Sequence, residues 1–148
     1  MDENTIWDVR AFIYQRFAET TRPPSVEETA AHFRLRQDEA ASAYEELNRR
    51  HALYLEPGTH EILMAFPFSG IETAFKVYAN GGSYFANCAW DSLGIPAALR
   101  ADAEIEAKCA QTGEPIRLRV RDQQVQDSNV LVHFLVPFRE WYSDLPST

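Results

Sequence analysis

Apolar positions in the first third of the chain recur at helical spacing. Ile6, Val9, Ile13 and Phe17, with Trp7 and Phe12 beside them, predict a helix from Thr5 to Glu19. Arg22-Pro23-Pro24 stops it, because proline lacks the amide hydrogen that a helix interior needs. Ser25-Val26-Glu27-Glu28 has the form of a capping box, which predicts a second helix from Ser25 to about Phe33. A third runs from Gln37 through Ala40, Ala43, Tyr44 and Leu47 to Arg50. Ala52-Leu53-Tyr54-Leu55 and Glu61-Ile62-Leu63-Met64 then flank the turn Glu56-Pro57-Gly58-Thr59, as the arms of a hairpin do. Three helices and a hairpin predict a winged helix-turn-helix-like module over residues 1–65.

The pattern changes after that point. Met64-Ala65-Phe66-Pro67-Phe68-Ser69 is apolar with an embedded proline and reads as a buried connector. Ala74–Tyr78, Ile105–Cys109 and Ile116–Arg121 alternate apolar and polar residues, as half-buried strands do. The first of these leads into the turn Asn80-Gly81-Gly82. Val130–Pro137 is nearly all apolar and predicts a central closing strand, with His133 inside it as a core or sheet-face residue. Phe138–Tyr142 predicts a short helix or turn. The expected fold is therefore α+β: the N-terminal module, then over residues 66–148 a mostly antiparallel sheet with one helix packed on it.

Composition narrows the possibilities without naming a function. The 148 residues suit one ordinary domain or two small ones sharing a core. No apolar run is long enough to predict a membrane span. The acidic start Met1-Asp2-Glu3-Asn4 lacks the layout of a secretion signal. Two cysteines, Cys88 and Cys109, make no disulfide framework, so a reducing cytoplasm with both thiols free is expected. The net charge of −8 disfavours nonspecific attraction to DNA or anionic membranes. The third helix carries Asp38, Glu39, Glu45 and Glu46, with arginines only at its ends, so a DNA-reading role is disfavoured there too. The histidines are scattered and show no metal-ligand spacing.

The chemistry concentrates in Ser83–Pro96. A helix is expected from Cys88 to about Leu99, and Cys88 and Asp91 stand three apart on it, on neighbouring positions of one face. A thiol at a helix start feels the positive end of the backbone dipole, which favours thiolate. A carboxyl beside it can hold or pass a proton. Burial as an ordinary core cysteine is the competing reading of Cys88.

The segment Asn87-Cys88-Ala89-Trp90-Asp91-Ser92-Leu93-Gly94-Ile95-Pro96, with its Cys-Ala-x-Asp-x-Leu-x-x-Pro core, resembles the active-site segment of the alkylmercury lyase (organomercurial lyase) family. Lys108–Pro115, the connector at 64–69, the closing strand and Trp141 fit the same family. The resemblance implies protonolysis of the carbon–mercury bond of an organomercurial, with Cys88 binding mercury and Asp91 assisting proton delivery. It implies no required cofactor, Hg(II) as the bound product, and low-molecular-weight thiols as partners. Phe66, Phe68, Tyr84 and Trp90 are candidate apolar walls for the organic group, with ordinary core as the alternative. The family pattern has a second, late active-site cysteine. The chain ends at Asp144–Thr148, about where that cysteine is expected, so a shortened member or a sequence lacking its natural tail is expected. Cys109 is the remaining candidate ligand and matches a family cysteine regarded as structural; its strand neighbours Ile105 and Ala107 predict burial. Two alternatives remain open. One is a non-catalytic relative that binds a soft metal or a thiol-reactive small molecule. The other is a winged-helix regulator that senses a ligand.

Overall fold

The computed structural model describes residues 2–126, 128–134 and 136–143. Three helices open the chain: α1 (Glu3–Thr20), α2 (Val26–Phe33) and α3 (Gln37–Arg49). The first two start at a side-chain cap. The Asp2 carboxylate accepts from the Thr5 amide at 3.0 Å. Ser25 and Glu28 exchange two backbone hydrogen bonds at 2.8 and 3.1 Å, so the expected capping box is present. The apolar stripe of α1, Ile6, Val9, Ile13 and Phe17, is buried against Tyr44 and Leu47 of α3 and against the sheet. Burying each of these large side chains contributes roughly 1.5–3 kcal/mol. Tyr44 hides its hydroxyl between Thr29 and the Pro24 carbonyl at 2.7 and 3.0 Å, and burial pushes its pKa up to about 12.

The rest is dominated by one sheet. Its strands are β1 (Tyr54–Leu55), β2 (Ile62–Ala65), β3 (Phe68–Ser69), β4 (Phe75–Ala79), β5 (Gly82–Ala86), β6 (Ala103–Lys108), β7 (Pro115–Arg121) and β8 (Gln124–Gln126). They lie in the order β1-β2-β3-β5-β4-β6-β7-β8, every neighbouring pair antiparallel. With helix α4 (Ala89–Leu99) packed on β4, β5 and β6, the fold is α+β. Among the described residues no helix is long and apolar enough to cross a membrane.

Alternation assigns the two faces. Val77, Ala79, Tyr84, Ala86, Ala103 and Ile105 point into the core, which is continuous from Ile6 of α1 to Val120 of β7. The opposite face carries a polar ladder, in which Arg117 and Arg119 of β7 meet Glu106 and Glu104 of β6 at 3.3 and 3.7 Å. The arginines of Ile116–Arg121 thus stand on the open face, as the alternation predicts.

Three parts of the chain depart from their pattern. The stretch 64–69 is not a plain connector: it folds as a tight β2–β3 hairpin around a cis Phe66–Pro67 bond. The hairpin β1–β2 is therefore continuous with the main sheet through β3. Tyr84 alternates with Phe85 and Ala86 in a further strand, β5, because Asn80 and Gly81 adopt positive φ and turn β4 back on itself. The expected closing strand is absent among the described residues of Val130–Pro137. Leu131 is 90% exposed and His133 is exposed, while Leu135 lies outside the described residues. A central strand needs partners on both edges; here the short β8 already takes the edge beside β7. The 130–134 run lies outside the sheet, and a 3-10 turn, Phe138–Ser143, follows it.

A thiol and a carboxyl at the start of one helix

The turn at Asn80–Gly81 sends β5 toward the end of the sheet where α4 begins. Cys88 is the N-cap of α4, with extended backbone (φ −149°, ψ 179°), and its Sγ accepts from the Asp91 amide at 3.5 Å. The helical spacing then sets the Asp91 carboxyl near enough to the thiol for each group to influence the other's ionisation. The sequence-predicted pair is brought together.

Electrostatics at the pair differ from the sequence expectation. Burial pushes the Cys88 thiol above its ordinary value; the Asp91 amide pulls it down, and the Asp91 charge pushes it up again. The helix start alone does not make a thiolate. Burial likewise raises Asp91, against the Asn87 hydrogen bond and the neighbouring Cys88 thiol, which favour its charged form. The result is a half-buried thiol and a half-buried carboxyl held at one helix start, two groups of the kind between which a proton can pass.

Two side chains absent from the sequence-derived site complete the surroundings. Asn87 donates Nδ2 to Asp91 Oδ2 at 3.0 Å, and to the Pro67 and Phe68 carbonyls at 3.4 and 3.3 Å. Tyr14 of α1 donates to the Phe66 carbonyl at 3.0 Å, with the Arg10 guanidinium 4.6 Å over its ring. Burial is the main reason the Tyr14 hydroxyl is raised, and the Asp91 charge adds to it. The turn at Phe66–Pro67 is thus held from α1 on one side and from the start of α4 on the other. Gly94 closes the contact: a Cβ there would stand 3.0 Å from Cβ of Pro67. Asn87 lies inside the motif and was legible in principle; Tyr14 is 52 residues from its partner and carries no local signal.

The candidate walls fall into two groups. Phe68 and Tyr84 are 2% exposed and belong to the core, Phe68 stacked on Phe17 at 5.1 Å and Tyr84 donating to the Ala18 carbonyl at 2.9 Å. Phe66 is half-buried in the turn beside the site. Trp90 is 58% exposed on the first turn of α4, with Phe134 at 6.2 Å and Trp141 stacked on Phe134 at 5.3 Å. Residues past the sheet therefore return to the start of α4.

Cys109 is placed differently from the expectation. β6 ends at Lys108, and Cys109 opens the turn to β7, half-exposed rather than buried in a strand. Its carbonyl accepts from Gly113 and its amide donates to Glu114, both at 2.8 Å. Hydrogen bonds from Thr112 hold its thiol below the ordinary value. β5 and β6 run in the same direction on either side of β4, so both cysteines leave the sheet at the same end. Among the described residues no three His, Cys, Asp or Glu side chains converge on a metal-sized site.

Comparison with known proteins places this geometry. The family model for alkylmercury lyase (MerB) matches residues 68–147, which include β3 to β8 and α4. The alkylmercury lyases of Bacillus cereus and Clostridium butyricum are each 36% identical over 70 residues, covering 45% of this chain and 32% of the relative. The match thus spans about a third of those relatives' length. Among solved structures, the mercury-bound form of MerB2 superimposes with a TM-score of 0.66 at 23% identity. That likeness covers 87% of this chain and 61% of the other, and it reaches the helices as well as the sheet. The chain belongs to the alkylmercury lyase family.

Proposed function

We propose that the chain cleaves the carbon–mercury bond of organomercurials by protonolysis, with Cys88 as the mercury-binding thiol and Asp91 as the proton carrier. The observation that carries this reading is the placement of the Cys88 thiol and the Asp91 carboxyl together at the start of α4, where Cys88 Sγ accepts from the Asp91 amide at 3.5 Å. Mercury is soft and sulfur is its preferred ligand. When an organomercurial meets Cys88, a sulfur–mercury bond forms, the anionic ligand opposite the carbon (a halide or small thiolate) leaves mercury, and the thiol proton passes to Asp91. Sulfur then donates electron density through mercury, which makes the bound carbon more basic. Asp91 returns the proton to that carbon; the carbon–hydrogen bond forms with the electron pair of the carbon–mercury bond. A hydrocarbon leaves, Hg(II) stays on sulfur, and no electron is gained or lost overall. Small thiols then remove Hg(II) by exchange.

A thiol held neutral in the resting state suits this sequence, because mercury itself displaces the proton that the reaction later uses. The arginines at the ends of α3 are engaged with carboxylates, Arg49 with Glu46 and Arg50 with Glu46 and Glu3, which supports a structural use of the helical module rather than a DNA-reading one.

The test is incubation with a phenylmercury salt and excess small thiol, with benzene followed by gas chromatography. Benzene that disappears in Cys88→Ser is expected. A mercury adduct on Cys88 without benzene would leave a soft-metal binder in place of an enzyme.

A further inference from the structure

We propose that Asn87 is a positioning residue of this site: its side-chain amide clamps Oδ2 of Asp91 to the Phe66–Phe68 turn and leaves Oδ1 as the oxygen that takes and delivers the proton. The inference rests on the function proposed above. Three acceptors surround the Asn87 nitrogen: Asp91 Oδ2 at 3.0 Å, the Phe68 carbonyl at 3.3 Å and the Pro67 carbonyl at 3.4 Å. Turning the amide over would aim Oδ1 at all three, so the network assigns the donor end. The carbonyl oxygen of Asn87 is buried and has no hydrogen-bond partner. Buried polar atoms are rarely left so. A side chain chosen for packing alone would not keep an unmatched acceptor beside the reacting pair.

The clamp matters because the last torsion of an aspartate is soft, with a broad and roughly two-fold profile. The backbone of α4 brings Asp91 near Cys88, but it does not choose which oxygen faces the sulfur. A hydrogen bond from a neighbour tied to the sheet does. The groups that face Asp91 are Cys88 on the same helix start, Asn87 at the end of β5 and Tyr14 from α1. Of these only Asn87 joins the carboxyl to the β3 turn. An aspartate at position 87 would set a carboxylate against two carbonyls and a second carboxyl. An alanine would free Asp91 to rotate.

The experiment compares parent, Asn87→Ala and Asn87→Ser on a phenylmercury salt with excess thiol, reading kcat and KM for benzene release. Mass spectrometry of the mercury adduct runs alongside. Expected is a fall in kcat of about 10–100-fold, the scale of a small misplacement of a catalytic group. KM and the single adduct on Cys88 should stay as in the parent, since sulfur still takes the metal. Unchanged kcat in both folded variants, with an active parent, would overturn the role of Asn87 alone. No benzene from the parent would overturn the proposed function and this role with it. If neither variant folds, the side-chain amide signals of Asn87 in 15N–1H spectra of the parent and Asp91→Asn decide the matter. A clear displacement supports the clamp, and unmoved signals overturn it.

Discussion

Two cysteines leave the same end of the sheet and meet opposite surroundings. Cys88 ends the approach of β5, caps α4 and sits half-buried beside a carboxyl, where burial raises its thiol. Cys109 follows β6 in a half-exposed turn, where hydrogen bonding from Thr112 lowers its thiol. By acidity alone, Cys109 is the more reactive sulfur. By surroundings, Cys88 has the Asp91 carboxyl one helical turn away and a helix start to fix its geometry. The difference teaches that ease of ionisation and suitability for this chemistry are separate properties. A nucleophile that must hold a metal and hand over its proton needs the neighbour more than it needs the charge.

The largest expected effect separates the two cysteines by activity. Cys88→Ser should abolish benzene release from phenylmercury, while Cys109→Ser should retain most of it. Equal losses would erase the distinction. Next comes the carboxyl. Asp91→Asn should keep the mercury adduct on Cys88 while slowing benzene release about 10²–10⁴-fold, the usual range for a lost acid–base group. The same change should leave the melting temperature at pH 7 unchanged or higher. Asp91 is raised by burial, so its carboxyl stabilises the fold most in acid, and that contribution is lost as pH rises through its folded pKa. A lower melting temperature in Asp91→Asn would show that the carboxyl serves the fold.

A smaller effect inverts the order of the sulfurs. At pH 7.5 a general alkylating reagent should label Cys109 faster than Cys88, because thiolate is the reacting form and the two thiols shift in opposite directions. Raising the pH through the alkaline range should narrow the gap as Cys88 ionises. Peptide mapping after timed quenching measures both. Faster labelling of Cys88 at neutral pH would mean that its thiolate is already present at rest. The smallest effect concerns support of the site. Gly94→Val adds side-chain bulk where α4 meets Pro67 and should cost about 1–3 kcal/mol by denaturant unfolding, the typical penalty for overpacking. The Cys109 turn lies outside that contact, so its labelling should not change.

Much of this molecule was determined locally. The cap at Ser25, the stripe Ile6-Val9-Ile13-Phe17, the Asn80–Gly81 turn and the alternation in Ile116–Arg121 each act over a few residues, and each formed the element its pattern predicts. The Cys88–Asp91 pairing is of the same kind, since one helical turn suffices to set it. What sequence left open needed distant parts of the chain. Val130–Pro137 has the composition of a central strand, but a strand exists only where a neighbouring edge is free, and β8 occupies the one beside β7. Cys109 shares a period-two pattern with Ile105, yet β6 ends one residue before it, and exposure follows from where pairing with β7 stops. At Cys88, burial, a property of the packed fold, works against the pull of the helix start on the thiol, so position on the helix alone does not set its ionisation. Tyr14 reaches the turn at Phe66 across 52 residues, and Asn87 finds the Pro67 and Phe68 carbonyls only once β3 lies beside β5. Sequence determined the pairing of Cys88 with Asp91 and most of the elements, because those depend on neighbours along the chain. Only the tertiary structure decided the environment of the pair, because burial and long-range hydrogen bonds do not exist until the sheet is assembled.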